Sequence, residues 1–215
     1  MAITVWGRLN SCNVQKVIWA LDELNLSYDH VPLGGQHGGL DEPAYRAMNP
    51  NGKVPTLRDG ETVVWESHAI IRYLAATYSA RGLWPQDPGA RAAADQWTDW
   101  TATTFQPAWI KLFWLVVRTP TDRHDKAAIA ETHAASLAAF AILEQRLGDS
   151  AYLAGRQLTY ADIAAGVAMY RWVTMPIARP EMPNVEAWYK RLTRRPPYKR
   201  AVCITYADLV GRTDF

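Results

Sequence analysis

Strand-like alternation of apolar and polar residues is confined to the first third of this chain, and beyond residue 91 no clear strand appears. That division excludes a single sheet running through the molecule and asks for two bodies of different class. In the first body, "AITVWG" at 2–7 reads as a strand that stops at Gly7. Val14, Val17, Ile18, Leu21 and Leu24 then recur at helical spacing, predicting a helix over 13–24. "SYDHVPL" reads as a second strand, and a Gly-rich stretch follows with one helical turn near Pro43–Met48. "KVPTLRDGETVVWES" at 53–67 reads as a hairpin turning at Asp59-Gly60, and a helix runs over 67–79. Strand–helix–strand implies a parallel pair, to which the hairpin adds antiparallel strands. "RGLWPQDPGAR" at 81–91 is rich in Gly and Pro and reads as a linker. Residues 90–118, 124–147, 158–173 and 184–195 read as helices. The expected fold is an α+β N-terminal domain over 1–80, a linker over 81–89 and an all-α helical bundle over 90–215.

A chain of 215 residues is long enough for this division. Its formal charge of +2 offers no field for nucleic acid. The first ten residues lack the apolar core of a signal peptide, and unbroken apolar runs fall far short of the roughly 20 residues of a membrane span. A cytoplasmic protein with no membrane partner is expected. Cys12 and Cys203 do not make a disulfide framework, and no His, Cys or acidic spacing suggests a metal. The basic stretch at 190–200 reads as a solvated helix end.

Three segments carry a more specific signal: "NPNGKVPTL" at 49–57, "ETVVWESHAIIRYL" at 61–74 and "LTYADIAAG" at 158–166. In this order, on a thioredoxin-like half followed by a helical half, they resemble the cytosolic glutathione S-transferase family, in its theta-like and nu-like bacterial types. The resemblance implies a homodimeric detoxifying transferase. Glutathione would be its co-substrate and a small hydrophobic electrophile its second ligand.

The residues have physical readings beside that resemblance. Pro55 is either a cis proline that exposes the main chain of Val54 for pairing with a peptide, or an ordinary trans proline at a strand edge. Glu66 and Ser67 stand where a strand enters a helix, whose first N–H groups suit a carboxylate. The resemblance gives Ser67 the γ-glutamyl carboxylate and Glu66 the ammonium of glutathione. It offers Lys53 and His37 for the glycyl carboxylate. Asp99, with Asp95 competing, would reach the glutathione amine across a dimer. Thr159 and Asp162 fit a capping box.

The turn "SCNVQK" would face the sulfur. A free thiol holds little thiolate at neutral pH, so the site must favour the anion, and a hydroxyl or amide beside a helix start does so. Theta-like relatives place a serine at the position of Ser11. Nu-like relatives use a Thr-Pro-Asn turn followed by a basic residue, which aligns Asn13 with their asparagine. Ser11 and Asn13 are therefore the expected catalytic pair. Cys12 stands where that turn has proline and reads as a partly buried small residue rather than a nucleophile. Trp109, Phe113 and Trp114 fall at helical spacing as one wall of an electrophile pocket, or else as core; Arg8 and Leu9 are candidates for the opposite wall. The nu-like turn also fits glutathione-dependent disulfide reduction, and the fold alone fits a non-catalytic glutathione or ligand carrier.

Overall fold

A computed structural model of the chain describes residues 3–79 and 82–213. Ala2, the expected first strand residue, and residues 80–81, where the linker is expected to begin, lie outside them. Strand β1 (Ile3–Trp6) pairs parallel with β2 (Tyr28–Val31) and antiparallel with β3 (Thr56–Asp59), which pairs antiparallel with β4 (Thr62–Trp65). The order is β2-β1-β3-β4. Val5 and Leu57 face each other at the centre of the sheet, both fully buried. Helix α1 (Cys12–Glu23), the short α2 (Pro43–Met48) and α3 (Ser67–Tyr78) complete a thioredoxin-like domain. Gly7 makes the sharp passage from β1 to α1 possible: its φ is +148°, and a Cβ there would lie 2.4 Å from Val14 Cγ2.

Beyond the link the chain is helical. Helices α4 (Pro88–Trp100) and α5 (Gln106–Phe113) belong to one continuous rod, joined by a π turn at Thr101–Phe105 and extended by another at Trp114–Arg118. Helices α6 (Lys126–Gly148), α7 (Tyr160–Thr174), α8 (Pro183–Thr193) and α9 (Pro196–Val202) follow. Pro196 and Pro197 begin α9, where proline lacks only an N–H that no helix uses. By length and composition α6 could cross a membrane. Here its Ser136, Phe140 and Leu143 are buried, and the helix packs on α5 and α8.

The two domains share α1. It packs on α3 within its own domain and on α7 and α9 of the other, so residues 14–21 are buried all round rather than along one stripe. Gly166 of α7 admits Trp19: a Cβ there would lie 3.0 Å from the Trp19 ring. Two residues of the basic stretch close the interface instead of facing only water. Arg195 makes a fork with Glu23 at 2.7 and 2.5 Å, and Arg200 meets Asp22 at 3.2 Å.

Helix α7 starts in the core with a capping box. Thr159 Oγ1 accepts from Ala161 N–H at 3.3 Å, and Asp162 Oδ2 accepts from Thr159 N–H at 3.0 Å. Thr159→Ala is expected to lower stability by about 1 kcal/mol, read as a lower urea midpoint. An unchanged midpoint would remove the cap from any role in stability.

Candidate active site

The site grows from the segment between α2 and β3. Asn49, only 2% exposed, donates from Nδ2 to Lys53 C=O at 2.8 Å and to Thr56 Oγ1 at 3.0 Å, while its Oδ1 accepts from Asn51 N–H at 3.1 Å. Tyr45 Oη donates to the same Lys53 carbonyl at 2.6 Å. These bonds hold Lys53, Val54 and Pro55 in a fixed arch, with Val54–Pro55 in the cis form. No hydrogen bond reaches the Val54 N–H or C=O among the described residues. Asn49→Ala is expected to cost about 2 kcal/mol, because buried acceptors lose their donors. The same variant should loosen the arch, which limited proteolysis within 49–55 would detect.

Opposite the arch stands the start of α3. Glu66 occupies its N-cap at φ +70°, a region that non-glycine residues rarely adopt and that recurs at functional sites. No side chain caps this helix, so the N–H groups of Ser67, His68 and Ala69 have no acceptor among the described residues. A cavity of about 180 Å³ lies between arch and helix, lined by Asn13, Asn49, Asn51, Lys53, Val54, Pro55, Glu66 and Ser67. Six of the residues expected at a glutathione site thus converge: Asn13, Lys53, Val54, Pro55, Glu66 and Ser67. Free N–H groups, a helix dipole and Lys53 suit this cavity to an anion of peptide character.

Ser11 is the N-cap of α1 but makes no side-chain cap, and its hydroxyl has no partner among the described residues. Cys12 is buried, with Sγ 4.0 Å from Asn13 Oδ1. Beneath Asn13 lies Lys16, fully buried, with its amine 3.1 Å from Asn13 Oδ1, 3.4 Å from Ser67 Oγ and 2.8 Å from His68 Nε2, and also on Gln106 Oε1. Burial lowers Lys16 to about 8, and burial with the nearby Lys16 and Arg72 charges lowers His68 to about 2, so His68 is neutral and accepts.

The remaining expected residues lie elsewhere. His37 is not at the small cavity. It lines a separate cleft of about 610 Å³ together with Arg8, Leu9 and the C-terminal residues Ile204, Thr205, Ala207 and Asp208. Trp109 and Phe113 form core, 1% and 2% exposed, because the face they share packs on α6 and α7; only Trp114 of that stripe reaches solvent. Asp99 and Asp95 are both held by Arg72 of α3, with Arg72 Nε 2.7 Å from Asp95 Oδ1. The sequence gives no role to Gln106 or to the returning C-terminal segment, and it brings in Lys16 only as the basic residue ending "SCNVQK" and Asn49 only as the first residue of "NPNGKVPTL". Spacing i to i+3 between Asn13 and Lys16 is a second signal for that lysine, beside the basic residue of the turn. Among the described residues no group of three or more His, Cys, Asp or Glu is placed to hold a metal ion.

A thioredoxin-like domain with this arch, fused to a helical bundle, defines a class, and comparison with known proteins gives it a name. Residues 7–82 match the family described as "Glutathione S-transferase, N-terminal domain", and residues 105–196 match "Glutathione S-transferase, C-terminal domain". The chain belongs to the glutathione S-transferase family. It is 39% identical over 204 residues to glutathione S-transferase GstB of Escherichia coli K12, covering 94% of this chain and 98% of that one. It is 34% identical to glutathione S-transferase 3 of Zea mays, covering 93% of each. The theta class glutathione S-transferase of the citrus canker pathogen Xanthomonas axonopodis pv. citri, solved with glutathione bound, superimposes with a TM-score of 0.91 at 48% identity, covering 95% of this chain and 98% of that one.

Proposed function

We propose that this chain is a glutathione transferase that binds glutathione in the small cavity and stabilises its thiolate for attack on a hydrophobic electrophile. One observation carries the reading: the free main chain of Val54 and the uncapped start of α3 face a common cavity beside Lys53. The Val54 N–H and C=O would pair with the cysteinyl unit. The first turn of α3, with Ser67, would hold the γ-glutamyl carboxylate, Glu66 the ammonium, and Lys53 the glycyl carboxylate. Ser11 and Asn13, at the start of α1, would donate to the sulfur. The thiol proton leaves to solvent; the sulfur then forms a bond to the electrophilic carbon as the leaving group departs with its electron pair.

The electrophile would lodge in the larger cleft, where Leu9 and Ile204 offer apolar surface and Arg8 and His37 polar groups. In this reading His37 would meet the second substrate rather than glutathione. Val63 and Trp65, exposed on the edge strand β4, support a homodimer, in which Asp99 is our candidate to approach the partner's ligand. A division at 81–89 and a cytoplasmic setting complete the reading.

The test is glutathione binding by calorimetry together with conjugation of a chlorodinitrobenzene, followed by absorbance. Binding with turnover supports a transferase. Absence of glutathione binding overturns the reading. Asn13 in the cavity wall favours one alternative, reduction of a small disulfide by glutathione, and turnover of that substrate with little conjugation would select it.

A further inference from the structure

Asn13 could present either end of its amide to the cavity, and only one end is useful to a thiolate. The groups behind it decide which. An ammonium has three N–H donors and no lone pair, so the Asn13 atom that meets Lys16 must be the oxygen. The same Oδ1 accepts from Gln106 Nε2 at 3.1 Å and lies 3.5 Å from Ser67 Oγ. Lys16 also donates to Gln106 Oε1, which fixes that amide and aims its NH2 at Asn13. The Asn13 Nδ2 group has no partner among the described residues, and Asn13 lines the small cavity. Turning the amide over would set its NH2 against both the ammonium and the Gln106 NH2.

We propose that Lys16 is a positioning residue: from within the core it holds the Asn13 oxygen inward and so makes Asn13 a donor toward the ligand sulfur. The inference rests on the reading of the cavity as a glutathione site. Burial of Lys16 without an ion-pair partner is the second observation. It is 0% exposed, and no carboxylate among the described residues pairs with it. A structural lysine in the core would ordinarily be paired, since an uncompensated ammonium there is costly. The nearby titratable or charged groups are Glu66 at the cavity and Arg171 of α7, with the Cys12 thiol on the helix start and Arg72 beyond His68. Gln106 enters from α5, so the device spans both domains.

The experiment titrates the ultraviolet absorbance of the thiolate of bound glutathione in the full chain. The series comprises the unaltered protein, Lys16→Met, Asn13→Ala and the double variant, each checked for glutathione affinity. In Lys16→Met the bound thiol's pKa should rise by about one unit, and kcat should fall about tenfold at a pH below it, while the KM for glutathione stays within about threefold. In the Asn13→Ala background the same lysine change should move the thiol by less than about 0.3 unit, because the group it positions is gone. If Lys16→Met does not fold, Lys16→Gln serves. Its amide can donate or accept, leaves Asn13 free to turn, and should raise the thiol's pKa in the same direction.

An unmoved thiol in a variant that still binds glutathione overturns the proposal and leaves the glutathione reading standing. Equal increments in both backgrounds overturn it as well, since Lys16 would then act on the sulfur by its charge and not through Asn13. A missing thiolate band in the unaltered protein overturns the underlying reading and this proposal together.

Discussion

Asp162→Ala is expected to leave the helical domain unable to hold its native state at ambient temperature. The carboxylate is 0% exposed and receives four hydrogen bonds: Leu153 N–H at 2.9 Å, Thr159 N–H at 3.0 Å, Trp188 Nε1–H at 3.1 Å and Thr159 Oγ1 at 3.3 Å. Alanine leaves three N–H donors buried without an acceptor. At about 1–3 kcal/mol each, the loss is on the order of 5 kcal/mol, as large as the whole stability of many domains. Urea unfolding followed by tryptophan fluorescence would measure it, and a loss under about 2 kcal/mol would show that the fold satisfies those donors by other means.

The same carboxyl sets a pH dependence. Burial raises its pKa from 3.8 to about 6, against the opposing pull of its hydrogen bonds. Between those values the folded state binds the proton more readily than the unfolded chain, so this group's contribution falls as pH rises toward 6 and levels off above it. Asp162→Asn removes that titration. The stability gap between the unaltered protein and the asparagine variant should therefore be widest near pH 4 and narrow as pH approaches 6.

The largest effect on activity is expected from Ser11→Ala combined with Asn13→Ala. Both residues stand at the start of α1, whose first N–H groups already favour negative charge, and neither side chain is consumed by capping that helix. Removing both donors should cut conjugation on the order of 100-fold, the scale found when a preorganised donor to a developing anion is lost. Glutathione affinity should survive, because the Val54 arch and the start of α3 are untouched. Full activity in the double variant would reassign thiolate stabilisation to other groups.

Local chemistry made much of this molecule readable in advance. The hairpin at Asp59-Gly60, the capping box at Thr159 and Asp162, and the convergence of Lys53, Val54, Pro55, Glu66 and Ser67 all depend on residues close in sequence or on turns with strict backbone demands. What stayed hidden depends on distant partners. A stripe such as Trp109, Phe113 and Trp114 has the same spacing whether it meets a cleft or another helix, and here two of the three meet α6 and α7. Lys16 looks like a surface residue until Ser67 and His68 of α3 and Gln106 of α5 are brought against it. Residues 204–208 carry no periodicity, yet they return to Arg8 and Leu9, with Asn10 Nδ2 donating to Asp208.

The π turn at Thr101–Phe105 acts as a phase shifter in the long rod. Before it, Asp95 and Asp99 address Arg72; after it, Gln106 addresses Lys16 and Trp109 fills the core. Regular α winding of the same residues would rotate everything downstream by about 100°. Gln106 would swing off the lysine and Trp109 out toward water in a single step. The wide turn takes up one residue beyond regular winding, so a one-residue deletion within it should leave Gln106 and Trp109 in place, whereas a one-residue deletion elsewhere between Asp99 and Gln106 that kept the wide turn would carry both away.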